Sequence, residues 1–587
     1  MAIEKLAPSL AAAYERYVVE GRSRGVLRRP AGIMGLVSVE QRAKPVRVVV
    51  SLECDPDVRP AQEWGDEAEV NEGGRRIRTA IVPLDAVERL SEQPGVRRVV
   101  PASQLRPSLD LAQGKIGVPG FRNRTGRAGR DVLVGVVDTG IDSAHPVFAG
   151  RIERVWDQTL SGGSGVPEGR YGAEFTGAGL GASSLSRDTD GHGTHVAGIA
   201  AGAEGVAPEA RIVAVKTDFQ DAHIIDGIQY VFRLAGELGL PAVVNLSLGG
   251  HFDPHDGTDL MSLAIEEESG PGRIVCCAAG NEGDDDIHAR MSVVDGGRRS
   301  VPCHSGRIDG APSLFWLNGW YPGADRLDVA MVSPSGDSTP FQPVTTLGSP
   351  VRSYDLAGGT VQIVTPGPDP ANGDHNFFVA VEPTVPASAL SASAWRLVLR
   401  GAHVIGERCT ADVWILGRAE ANPQPQFSGP SVHDALKVGS PGAATSAITV
   451  AASTTRAEWQ DIDGITRHAT WLEPNDIASF SSEGPRRDEA RKPDVTAPGA
   501  MIVSALSRDA VDLRRAFMID NRHVAFQGTS MACPFIAGVT ALLLQGDPGA
   551  DPAKVLSALT AAAAIPGGAP GAFDPKWGHG LVDANLL

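Results

Sequence analysis

The chain has 587 residues, 42% of them hydrophobic and 21% charged, too long for one core and suited to about three or four domains. Its formal net charge of -17 excludes the basic surface that a nucleic-acid partner needs. No apolar run approaches the roughly 20 residues of a membrane span, and six scattered cysteines exclude a dense disulfide framework.

Residues 1–45 read as an N-terminal extension that opens with a predicted helix and turns basic from Arg22 to Arg29. Its apolar stretch from Leu10 to Tyr14 is stopped by Glu15 and Arg16, too early for a secretory signal. Arg28-Arg29 precedes a mildly apolar stretch, but Pro30 and the glycines fit a twin-arginine export signal badly. Mostly free thiols agree with a reducing compartment, with Cys303 and Cys409 the one pair that could bridge within a domain. The expected location is cytoplasmic; export without a classical signal is the alternative.

Residues 46–109 have a small α+β pattern. Val46–Val50, Ile77–Val82 and Val96–Val100 are strand-like, and Asp85–Glu92 is helical up to the stop at Pro94-Gly95. From 110 the character changes. Val132–Val137, Ile212–Val215, Val243–Leu248 and Ile274–Ala279 are continuous apolar runs, as expected for strands buried on both faces. Between them Ile224, Ile225, Ile228, Val231, Phe232, Ala235 and Leu238 recur at helical spacing. Alternation of this kind predicts an α/β fold, a three-layer domain with a parallel sheet, and a site beyond the carboxyl ends of its strands. The pattern covers 110–287 and resumes over 437–587. Residues 288–436 instead carry short alternating strands separated by Pro/Gly turns, which predicts an inserted all-β sandwich.

Three short motifs carry the chemistry: Val137-Asp138-Thr139-Gly140, Gly191-His192-Gly193-Thr194-His195 and Gly528-Thr529-Ser530-Met531-Ala532. Each is ambiguous alone. Asp-Thr-Gly also occurs in aspartic proteases, and His192 with His195 could be a metal pair, although no Glu lies between them as in His-Glu-x-x-His. In the order Asp, His, Ser they make an acid–base–nucleophile set. A serine hydroxyl is a poor nucleophile until an imidazole takes its proton and a buried carboxylate holds that imidazole in the right tautomer. A lipase or esterase would order the residues Ser, Asp, His and place the serine in Gly-x-Ser-x-Gly, which Gly528–Ala532 does not match.

With these motifs the chain resembles the subtilisin-like serine proteases, the subtilases (peptidase family S8). The resemblance is close over Val134–Asp142 and Asp190–Gly198; Gly528–Pro534 also fits, with Cys533 where many relatives have a small residue. It implies a serine endopeptidase. Asp138 would orient His192, His192 would be the general base, and Ser530 would be the nucleophile at a helix N-terminus, with Asn281 an oxyanion donor. Ser247, Leu248 and Gly249 would pair with an extended substrate, and Ala278, Ala279 and Gly280 would form the opposite wall of the specificity pocket. Glu282 at the pocket edge, with Asp284–Asp286, would favour a basic side chain at the cleaved position.

The resemblance further implies that 46–109 is a propeptide, assisting folding and then inhibiting, with self-cleavage between Pro101 and Lys115. The insertion at 288–436 would be jelly-roll-like. The partners implied are a protein or peptide substrate and the chain's own propeptide, with no nucleic acid and no membrane. No cofactor and no metal are expected: Ala200–Val206 runs straight on to Ala207-Pro208, without the calcium-binding loop of many secreted relatives. Asn245-Leu246-Ser247 matches a glycosylation pattern but falls in a predicted core strand. The competing class is a regulatory or binding pseudoprotease on the same fold.

Overall fold

The computed structural model describes residues 114–587 except 162–164, 181–185 and 385–393, and before them 5–7, 10–11, 14, 36–37, 47–56, 69–70, 76–101 and 106–107. The basic stretch Arg22–Arg29 and most of the predicted first helix therefore lie outside the described residues.

At the centre is a ten-stranded sheet. Its order runs Ala563–Ala564, Leu581–Val582, Val495–Ala500, Ile448–Thr454, Arg273–Ala278, Ala242–Leu246, Leu133–Asp138, Arg211–Lys216, Ile152–Asp157, Ala173–Thr176. All neighbours are parallel except at the two edges. Leu133–Asp138 is buried at every position, the burial expected of a strand covered on both faces. The helices Asp221–Leu238 and Leu260–Glu268 cover one face, and His192–Ala201 and Thr529–Gly546 the other. The chain crosses from Arg211–Lys216 over Leu133–Asp138 to Ala242–Leu246, so strand order reverses there. In open α/β sheets ligands bind at such a reversal.

Thr529–Gly546 is 18 residues long and apolar enough, by length and composition, to cross a membrane, although no such run was expected from the sequence. It is 83% buried inside the protein. Its hydrophobicity serves the core, where Phe535, Ile536, Leu542 and Leu544 pack.

Between His288 and Phe427 the chain forms two antiparallel sheets, of six and four strands. They share a core that includes Met291, Val301, Phe315, Leu317, Leu327, Val329, Leu397 and Trp414. The sequence places a strand at Ser313–Trp316; the observed strand is Phe315–Tyr321, buried at every residue. Its second face is not solvated. Leu314, Trp316 and Phe378 pack with Leu6, Leu10, Val48 and Val50 of the N-terminal unit. Burial on both sides removes the alternation by which a half-exposed strand is recognised.

The N-terminal unit is an antiparallel sheet of Leu36–Val37, Arg47–Cys54, Glu69–Val70, Ile77–Pro83 and Val96–Pro101, with the helix Val87–Glu92. Within the predicted N-terminal extension, Leu6, Leu10 and Tyr14 enter the same core as Val48 and Leu90. The sheet lies on two helices of the α/β domain. Val49 and Ile81 meet Ala222, and the Arg76 and Ile77 N–H groups donate to Glu267 at 3.2 and 3.4 Å.

Candidate active site

The predicted residues converge at the carboxyl end of the central strands. Asp138 closes its strand, and His192 opens the helix His192–Ala201 directly above it. Gly193 permits this approach, because a Cβ there would lie 2.2 Å from the Gly140 carbonyl oxygen. His192 Nδ1 lies 2.6 Å from Asp138 Oδ1. A carboxylate can only accept, so the ring proton sits on Nδ1 and Nε2 is left as the basic nitrogen. Both side chains are 0% exposed, in a setting where a charge-assisted hydrogen bond is strong.

Ser530 begins the helix Thr529–Gly546, and its Oγ donates to the Ser247 carbonyl at 2.9 Å. Four residues on stands Pro534, which has no N–H to give to the Ser530 carbonyl. The Ser247 hydroxyl supplies that donor instead, at 2.6 Å. Ser247 is in turn held by Asn245 Nδ2 at 2.9 Å. The apolar run expected to span Val243–Leu248 thus breaks at Ser247 into Ala242–Leu246 and Leu248–Gly249. Asn245 itself is wholly buried, which closes it to glycosylation.

Asn281 follows Gly280, and its Oδ1 accepts from the Thr529 N–H at 2.8 Å. The carboxamide is anchored through its oxygen, beside the N-terminus of the Ser530 helix. Gly280 has φ +111°, and a Cβ there would lie 2.6 Å from Ser482 Oγ, so glycine is required. Ala278 and Ala279 are buried beside it, at 5% and 2% exposure. Leu248 turns its side chain into the core, which leaves only its backbone for a ligand. That backbone is occupied: Leu248 and Gly249 pair antiparallel with Pro107 and Arg106.

Several residues that build the site escaped the sequence reading. Asp188 is 0% exposed and ties two motifs together. Its Oδ1 accepts from Thr139 Oγ1 and the Gly191 N–H, both at 2.8 Å, and its Oδ2 from Thr194 Oγ1 at 2.6 Å. The only signal was its place three residues before Gly191. Thr529 Oγ1 donates to the Gly280 carbonyl at 3.0 Å and fastens the nucleophile's helix to the Asn281 loop.

Other nearby groups are set aside by their surroundings. Burial pushes His195 down to about 3, and its Nε2 faces the Ile502 and Val524 carbonyls at 3.3 and 3.2 Å. Cys533, one turn past Ser530, is fully buried, and burial pushes its thiol well above the ordinary range. A thiol kept protonated is a poor nucleophile. Among the described residues no group of three or more His, Cys, Asp or Glu could hold a metal ion.

A buried Asp–His pair and a serine at a helix N-terminus, both at the carboxyl ends of neighbouring strands of one parallel α/β sheet, define a class of hydrolase scaffold. The family model of the Subtilase family matches residues 129–311 and 410–580, and the chain belongs to that family. The matched segments leave out 312–409, within the two antiparallel sheets. The chain is 26% identical over 491 residues to subtilisin-like protease SBT1.4 of Arabidopsis thaliana, covering 74% of this chain and 58% of that protein. It is 34% identical over 173 residues to the major intracellular serine protease of Bacillus subtilis (strain 168), covering 27% and 46%. The chain thus spans about half the length of these curated relatives. The solved structure of the Clostridium perfringens CspB protease shares the fold, with a TM-score of 0.64 at 23% identity, covering 80% of this chain and 95% of that one.

Proposed function

We propose that the protein is a serine endopeptidase acting through an acyl-enzyme. The observation that carries this reading is the 2.6 Å pairing of buried His192 and Asp138 at the end of the strand that neighbours Ala242–Leu246, beyond which the Ser247 carbonyl contacts Ser530 Oγ. His192 Nε2 takes the Ser530 proton as Oγ attacks the substrate carbonyl, then gives it to the leaving amine. Asp138 keeps the proton on Nδ1 and stabilises the imidazolium. The Ser530 N–H and the Asn281 carboxamide donate to the oxyanion, helped by the positive end of the Ser530 helix. Labelling by a serine-directed fluorophosphonate, absent in Ser530→Ala, tests the assignment against a pseudoprotease, which would not label.

Asn281→Ala is expected to lower kcat by about 10²–10³, the scale of losing one oxyanion donor in subtilisin, with a smaller change in KM. Steady-state kinetics on a chromogenic peptide check this; an unchanged kcat would remove Asn281 from the oxyanion site.

The N-terminal unit is read as a propeptide. Its sheet covers two helices of the α/β domain, and the pairing of Arg106–Pro107 with Leu248–Gly249 supports reading its tail as a substrate-like strand. Burial of Ser530, at 1% exposure, fits an occupied cleft. The antiparallel register runs from Gly249–Arg106 to Leu248–Pro107, and the Ser247 carbonyl is the one that Ser530 Oγ contacts. Residues 108–113 lie outside the described residues, and the expectation is chemical: wild-type protein acquires a new N-terminus between Pro101 and Lys115, whereas Ser530→Ala stays full length. N-terminal sequencing and intact mass decide it, and equal masses would exclude self-cleavage.

The inserted sheets sit beside the cleft in this reading, since Ile415, Leu416 and Gly417 share a groove with Gly249, His251 and Glu282. They would limit which proteins enter. The six cysteines are all free and buried, and the Bacillus subtilis relative is named an intracellular serine protease, which favours a location inside the cell.

A further inference from the structure

Trp471 is an exposed aromatic side chain close to the candidate nucleophile. It is 54% exposed, whereas Ala469 and Leu472, its near neighbours in sequence, are buried in the main core. A single exposed apolar side chain is ordinary on a protein surface. Two further observations set this one apart.

The ring is held in place. Its Nε1 donates to Gln527 Oε1 at 3.3 Å. Gln527 stands three residues before Ser530, next to Gly528, which opens the nucleophile's helix. The bond engages the one polar atom of the indole and leaves the apolar ring for a ligand. The surrounding segment is anchored as well. The Asn475 N–H donates to the Thr454 carbonyl at 2.8 Å, and Trp459 Nε1 to the Ala516 carbonyl at 2.8 Å. A ring already ordered in the free protein gives up little freedom when a ligand covers it.

The course of the chain shows which flank of the cleft this is. Arg106–Pro107 pairs antiparallel with Leu248–Gly249 and runs towards Ser247, whose carbonyl accepts from Ser530 Oγ. The chain is next described at Gly114–Ile116, where Lys115 Nζ donates to Asn475 Oδ1. Asn475 is four residues from Trp471. A chain that lies on Leu248–Gly249 before Ser530 therefore leaves towards residues 471–475 beyond it. A substrate running in the same direction carries the residue after its scissile bond to that flank.

We propose that Trp471 is a specificity-determining residue on the leaving-group side of the cleft, where it selects an apolar side chain on the residue just after the scissile bond. The proposal rests on the peptidase reading above and concerns the far flank of that same site. An apolar side chain laid on the indole removes apolar surface of both from water. A glycine at that position has no side chain to bury and gains nothing from the ring.

The test reads how the acyl-enzyme divides between water and an added amine. A peptidyl methyl ester acylates Ser530, and the ester's methanol leaves. In the competing step the amine nitrogen forms an amide bond to the acyl carbon, the bond from that carbon to Ser530 Oγ breaks, and His192 passes the amine's proton to Oγ. The amide-to-acid product ratio is read within one acyl-enzyme, so a variant that acylates slowly still reports it. At equal concentrations of the free amines, leucinamide is expected to capture the wild-type acyl group about fivefold more efficiently than glycinamide, the scale of partly burying one apolar side chain. In Trp471→Ala the two should be nearly equal. Trp471→Phe keeps an apolar ring without the N–H and should keep a preference of at least about twofold. A wild-type preference near one, or the full preference in Trp471→Ala, overturns the proposal. Equal capture in Trp471→Phe also overturns it, because the effect would then come from loosening the segment rather than from the apolar ring. Wild-type protein that forms neither acid nor amide overturns the peptidase reading itself, and this proposal with it.

Discussion

Ser530→Ala is expected to lower kcat by about 10⁶, the scale of the nucleophile's loss in subtilisin. The substitution removes the atom that forms the acyl bond. The local structure should survive it. Among the described residues Ser530 Oγ makes one hydrogen bond, to the Ser247 carbonyl, and losing a single such bond costs about 1 kcal/mol. The bond from Ser247 Oγ to the Ser530 backbone carbonyl is untouched, because it depends on Pro534 rather than on the serine side chain. A peptidase assay on folded Ser530→Ala protein checks the prediction, and near-normal turnover would refute the nucleophile assignment.

Asp138→Asn should cost about 10⁴ in kcat at neutral pH, with little change in KM. The two side chains have nearly the same shape, so packing is preserved. What changes is the proton. Asp138 Oδ1 accepts from His192 Nδ1 at 2.6 Å and from the Thr139 N–H at 2.7 Å. When the amide is turned so that its NH2 takes the Oδ1 place, giving up the Thr139 bond, an N–H faces His192. A donor there selects the tautomer with the proton on Nε2, and the ring can no longer take the Ser530 proton. The comparison of interest is kcat for Asp138→Asn against Ser530→Ala in the same assay. A loss below tenfold would mean that Asp138 does not control the His192 tautomer.

How much of this was legible depended on distance along the chain. Ser530 with Pro534, and Gly280 with Asn281, are neighbours in sequence, and their local geometry follows from residue type: a proline that cannot donate, a glycine that accepts positive φ. The apolar runs that became Leu133–Asp138 and Arg273–Ala278 were legible because burial on both faces leaves a continuous hydrophobic signature. The same physics misled elsewhere. Phe315–Tyr321 is just as fully buried, but its outer face is covered by the N-terminal unit, a contact between segments some 300 residues apart. Nothing in a local window reports such a cover.

By itself the sequence determined the motifs, their order and the alternation of strands and helices, and from these the parallel α/β class and the candidate triad. Tertiary structure decided which buried polar groups answer one another. Asp188 spans Thr139 and Thr194, the Ser247 hydroxyl answers the carbonyl left open by Pro534, and Arg106–Pro107 pairs with Leu248–Gly249. The physical reason is that an unmet donor or acceptor costs far more inside a protein than in water. Each must find a partner wherever the fold brings one, and that partner is set by packing in space rather than by spacing along the chain.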